Sequence, residues 1–116
     1  MTRLGIVMFA ALALGIMTAA PDISGDWGVE AEFDDSSLAG GGFDCAFKQD
    51  GERLTGTCSE ATVTGEVKGQ DVSWQMKAGG NPVTTSFRGT TNESRTFMSG
   101  RFTTTGAGGR FSASRG

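Results

Sequence analysis

Apolar and polar residues alternate along most of this chain, and within that alternation a five-residue unit, apolar–x–Gly–x–apolar, keeps returning. It reads Ile23-Ser24-Gly25-Asp26-Trp27, Leu54-Thr55-Gly56-Thr57-Cys58, Val63-Thr64-Gly65-Glu66-Val67 and Met98-Ser99-Gly100-Arg101-Phe102, with a shorter copy at Phe87-Arg88-Gly89-Thr90. A spacing of two puts the apolar residues and the glycine on one face of a β-strand. A glycine on that face lets the strand coil sharply, as a small closed barrel requires.

The alternation predicts eight strands joined by short, mostly glycine-bearing turns. They run from about Ile23 to Phe33, Gly42 to Lys48, Arg53 to Cys58, Thr62 to Lys68, Val72 to Met76, Val83 to Thr90, Thr96 to Thr104 and Arg110 to Arg115. Trp27, Val29, Ala31 and Phe33 point inward on the first strand, with Glu30 and Glu32 outward. Asp34 to Gly42 is the longest connection, Gly79-Gly80-Asn81-Pro82 is a turn, and Gly106 to Gly109 leads into the last strand. No segment after residue 20 shows a useful helical period. Eight consecutive strands with such turns predict an all-β fold, a single antiparallel up-and-down barrel in which the last strand closes on the first. An open two-sheet sandwich is the alternative, and the regular turns and inward glycines favour the barrel.

The first twenty residues stand apart from this pattern. Met1-Thr2-Arg3 is basic, Leu4 to Met17 is almost unbroken apolar sequence, and Thr18-Ala19-Ala20 supplies small residues, the layout of an export signal. Residues 1–20 are thus expected to be a signal peptide and residues 21–116 the barrel, with a periplasmic or secreted location. Once the segment is removed no stable membrane span is expected. Pro21 sits awkwardly for cleavage after Ala20.

Cys45 and Cys58 are the two cysteines. With Asp50-Gly51-Glu52-Arg53 as the turn, a register that opposes Gln49 to Leu54 puts Cys45 directly opposite Cys58 on the apolar face, close enough for a disulfide. Charge is uneven. The whole chain carries −3, and without residues 1–20, which hold only Arg3, ten basic residues become nine against 13 acidic, or −4. That balance argues against a nucleic-acid partner. Acidic residues gather in 21–60 and arginines in 87–116, so an acidic first strand would lie beside a basic last one.

At Gly25-Asp26-Trp27 the chain resembles the calycins, the lipocalin and avidin group of small eight-stranded barrels. The resemblance implies that Gly25 and Trp27 are structural and that an arginine near the end packs over the tryptophan. Arg115 has the right parity for that role. The Ser-Gly-x-Trp start, Gln49-Asp50-Gly51, Leu54-Thr55-Gly56-Thr57 and Ser99-Gly100 together resemble a group of small exported bacterial barrel proteins of unknown role. The chain is shorter than a typical lipocalin and has no C-terminal helix.

Candidate chemistry is sparse. Histidine is absent, which excludes Ser-His-Asp and Cys-His arrangements, so no enzyme activity, cofactor or metal is expected. Asp34 and Asp35 are the weak option for calcium, and Asn92-Glu93-Ser94 is a formal glycosylation sequon. The remaining candidate is the lumen, where large aromatics alternate with glycines. Phe43, Trp74, Met76, Phe87 and Phe102 are the expected ligand-binding residues for a small hydrophobic molecule, with Asp34 to Gly42 as a lid. Side chains of an eight-stranded barrel also suffice to fill it. The alternative function is a protein-interaction module such as an inhibitor of a secreted protease, which would need a free segment around Pro21-Asp22.

Overall fold

The structure, a computed structural model, describes residues 22–79 and 83–116. The expected signal peptide and most of the Gly79–Pro82 turn lie outside the described residues. Eight strands follow one another: β1 (Gly25–Phe33), β2 (Gly41–Asp50), β3 (Arg53–Cys58), β4 (Ala61–Lys68), β5 (Asp71–Ala78), β6 (Thr84–Thr91), β7 (Phe97–Thr104) and β8 (Ala107–Arg115). Each pairs antiparallel with the next, and β8 pairs with β1, closing the barrel in sequence order.

The alternation read in the sequence is the wall of this barrel. Trp27, Val29, Cys45, Leu54, Val63, Val72, Phe87, Met98 and Phe111 are buried inside, while Asp26, Glu30, Lys48, Thr64 and Arg88 face out. Apolar inside and polar outside is the reverse of a membrane-spanning barrel, which shows lipid an apolar outer band.

β2 and β3 meet in the expected register, with Gln49 opposite Leu54 and Cys45 opposite Cys58. The two cysteines form a disulfide across a Cα–Cα distance of 4.0 Å. A bond of this kind is consistent with an oxidising location outside the cytoplasm. The charge asymmetry is partly absorbed at the closure, where Glu32 and Arg110 are cross-strand partners and ion-pair at 3.4 Å.

Most strand boundaries shift by one or two residues from the sequence reading, and two of the differences have a structural cause. Ile23 precedes β1 rather than belonging to it. Gly25 adopts a φ of +126°, which breaks the extended run and turns Ile23, fully buried, across the base of the barrel. At the other end of the chain β8 begins at Ala107, because the glycines read as a turn already pair with Phe102 and Thr103.

Arg115 seals that base. Its guanidinium lies 4.8 Å from the Trp27 ring and donates to the carbonyls of Ser24 (2.6 Å), Asp22 (2.8 Å) and Arg95 (2.7 Å). The Trp27 indole donates to Ile23 O at 2.8 Å. A Cβ on Gly25 would lie 2.8 Å from the Arg115 guanidinium, so the glycine makes room for this contact. The expected structural trio of Gly25, Trp27 and Arg115 is therefore one cluster. Lysine keeps the charge but not the planar fork, so Arg115→Lys should lower the free energy of unfolding by about 1–2 kcal/mol. Urea unfolding measures it, and an unchanged midpoint would deny the fork its role.

Candidate functional site

The two ends of the barrel are built differently. At the base, Ile23, Leu54, Val67, Val72 and Met98 are buried and the N-terminal segment crosses beneath them. At the opposite end, reached by the β1–β2, β3–β4 and β7–β8 turns, the inward residues Ala31, Phe33, Phe43 and Met76 are only partly buried. Among the described residues, the inward apolar side chains that keep contact with solvent thus form a lip at this end.

Below the lip the lumen is occupied by aromatic rings. Trp74, Phe87 and Phe102 are successive cross-strand partners on β5, β6 and β7. Trp74 and Phe87 stack with centroids 4.7 Å apart and planes within 6°, and Phe87 and Phe102 stack at 5.7 Å. Phe43 meets the edge or face of Phe87 at 6.2 Å, and Phe33 meets Phe102 at 5.1 Å. Phe47 and Phe111 close the cluster against Trp74 at 5.1 and 5.3 Å. Offset and edge-on rings of this kind add modestly to burial, each by about 0.5–1.5 kcal/mol.

Of the residues expected to bind ligand, Phe43, Trp74, Phe87 and Phe102 thus come together around Phe87. Met76 stands at the lip beside them, opposite Val63 and Thr85. Phe33 and Ala31 belong to the same lip.

The glycines of the repeated unit do not open gaps in the lumen. A Cβ at Gly65 would lie 2.1 Å from Ser73 O, and one at Gly100 would lie 2.0 Å from Arg88 O, both on the neighbouring strand. Sharp coiling has turned the Cβ direction into the sheet itself, and Gly56 and Gly89 show the same relation.

Among the described residues one buried side-chain polar group is unsatisfied. The Trp74 indole Nε1, on a residue 2% exposed, has no hydrogen-bond partner. Buried donors without acceptors are uncommon and cost about 1–3 kcal/mol. Its orientation depends on the packing of the rings around it, so no sequence pattern signals it. The buried Thr91, by contrast, donates to Phe97 O at 3.1 Å.

The β1–β2 connection is fastened at several points. Asp34 N donates to Gly108 O at 3.0 Å, and the Asp34 carboxylate pairs with Arg101. The Asp35 carboxylate accepts from the hydroxyl (2.7 Å) and amide (2.9 Å) of Ser37, which holds its pKa below the ordinary value. The two carboxylates considered for calcium therefore serve different protein partners. Among the described residues no three His, Cys, Asp or Glu side chains are grouped to hold a metal ion. The side chain of Asn92 is likewise engaged, accepting from Thr96 N and Phe97 N and donating to the Thr96 hydroxyl.

No protein-family model matches the chain, and no curated protein matches it. Among solved structures, a redesigned β-barrel, mFAP1, bound to DFHBI is similar. It shares 19% identity with a TM-score of 0.54, over 81% of this chain and 94% of that one. At that identity the likeness is one of fold.

Proposed function

We propose that the protein is an exported carrier or sensor that binds a small, largely apolar molecule at the open end of its barrel. The observation that carries this reading is the one-sided exposure of the inner wall. Apolar side chains are sealed at the base, and Phe33, Phe43, Met76 and Ala31 form a half-buried lip at the other end. Such a lip over an aromatic floor suits a flat apolar ligand. The unsatisfied Trp74 N–H adds a polar requirement, since a carbonyl or hydroxyl oxygen on the ligand would supply the acceptor it lacks. A redesigned barrel of this architecture is bound to DFHBI, which supports the fold as a host for a compact ligand.

The protease-inhibitor alternative asks for a free N-terminal arm, and the arm's described part is occupied. Ile23 N donates to Gln49 Oε1 at 3.0 Å, and the Asp22 and Ser24 carbonyls are taken by Arg115.

Native mass spectrometry of protein purified from cells expressing the whole chain tests the ligand reading, together with quenching of tryptophan fluorescence by DFHBI as probe. A non-covalent bound mass, or saturable quenching weakened about tenfold or more by Phe43→Ala, is the expected result, tenfold being about 1.4 kcal/mol of contact. A bare mass with no saturable quenching overturns the reading.

A further inference from the structure

A second feature lies on the outer wall, away from the lip. Arg88, Arg101 and Arg110 are direct cross-strand partners on β6, β7 and β8, and all three are exposed. Adjacent strands lie about 4.8 Å apart, so three cationic side chains rise side by side. Like charges directly opposite on a sheet repel and destabilise it.

Two of the three have carboxylates of their own. Arg110 pairs with Glu32 at 3.4 Å and Arg101 with Asp34. Arg88 pairs with no carboxylate among the described residues. Its other cross-strand partner is Ser73, and beyond Ser73 stands Glu66, which is engaged by Lys68 at 3.4 Å. Arg88 and Arg101 line a shallow cleft with Ser73, Gln75, Ser86, Thr103 and Glu66 itself. Two guanidinium groups, one of them uncompensated, thus stand among hydroxyl and amide groups and a single carboxylate, that of Glu66, which Lys68 engages.

We propose that this cleft is an oxyanion site, and that it takes a phosphate group held between Arg88 and Arg101. A guanidinium offers a planar fork of donors that matches phosphate oxygens two at a time. A planar carboxylate is satisfied by one such fork. A tetrahedral phosphate has oxygens left for the second arginine and for the hydroxyls of Ser86, Thr103 and Ser73. Arg101 keeps donors free, because a guanidinium has five and its carboxylate partner engages only part of them. The site shares no residue with the lip, so it stands or falls independently of the ligand reading.

The test compares thermal melting in sodium phosphate and in sodium chloride at equal ionic strength, using protein purified from cells expressing the whole chain. At ten times the dissociation constant, phosphate should raise the melting temperature by roughly 5 °C or more in the parent and by less than about 1 °C in Arg88→Gln. In chloride, Arg88→Gln should melt at or above the parent, since it removes a repulsion. Equal gains from phosphate in parent and variant would overturn the proposal as general salt stabilisation, and so would a variant that melts well below the parent in chloride. Co-sedimentation with phosphatidic acid vesicles, against phosphatidylcholine vesicles, separates the sources. Arg88-dependent sedimentation assigns the phosphate to a lipid headgroup, and the thermal effect without sedimentation assigns it to a soluble phosphate. The absence of both overturns the site.

Discussion

With Cys45 and Cys58 both replaced by alanine, the protein should melt roughly 15 °C below the parent under oxidising conditions. The bridge joins residues separated by 13 positions, across one hairpin. Closing a loop of that length removes conformational freedom from the unfolded chain equivalent to about 3 kcal/mol. The native barrel gives up little else, since both residues are buried and directly opposed. For a domain of this size each kcal/mol moves the midpoint by about 4–8 °C. Calorimetry of the parent with and without dithiothreitol supplies the control, because the reduced parent should converge on the double variant. A difference below about 3 °C would mean that the bond contributes little beyond packing.

Gly65→Ala and Gly100→Ala should each cost more than about 3 kcal/mol, an unusually large effect for adding one methyl group. The cause is the close approach already described. The added carbon would fall about 2 Å from a backbone oxygen of the adjacent strand. A side chain in the way can rotate aside, but a carbonyl in a sheet ladder moves only if the ladder moves. Gly41→Ala is the matched control. It lies in β2, nothing stands within 4 Å of its Cβ position, and its change should stay within about 0.5 kcal/mol. Chemical unfolding of the three variants decides the matter. Equal stability for all three would show that the barrel relaxes around these positions.

These glycines also mark how far the sequence could be read. The alternation gave every strand, because a period-two pattern and a closed barrel with a dry interior are the same constraint seen twice. The Cys45–Cys58 pairing follows from one short turn, whereas an arginine over Trp27 is what the calycin resemblance implies, and parity with closure only picks out Arg115 for it. Ile23 was misplaced because nothing in the pattern distinguishes a residue that continues a strand from one that turns across its end. Gly56, Gly65, Gly89 and Gly100 occupy inward positions of the strand alternation, but the pattern does not show that their Cβ direction meets the next strand. An absent side chain suggests space in the lumen, and only the local coil shows that the direction has swung into the sheet. The ring cluster around Phe87 was foreseeable as a composition. The stranded Trp74 N–H was not, since it depends on a side-chain orientation. The arginine row needed the registers of both β6–β7 and β7–β8 together, and an error of one residue in either would have dispersed it.

In the closed ring, seven strand pairs join neighbours in the chain and one joins its ends. The pairing of β1 with β8 brings together residues 88 positions apart at Trp27 and Arg115, and 76 apart at Phe33 and Gly109. Hairpins assemble early because their loops are short, whereas this seam must wait for the entropy of closing nearly the whole chain. On loop-closure grounds it is expected to be the last strand pair to form, and the disulfide, which lies within one hairpin, does not hold it shut. An open seam exposes two bare edges, those of β1 and β8. A second molecule in the same state offers the complementary pair, so exchange of β1 between copies is the misassembly to which this topology is most exposed.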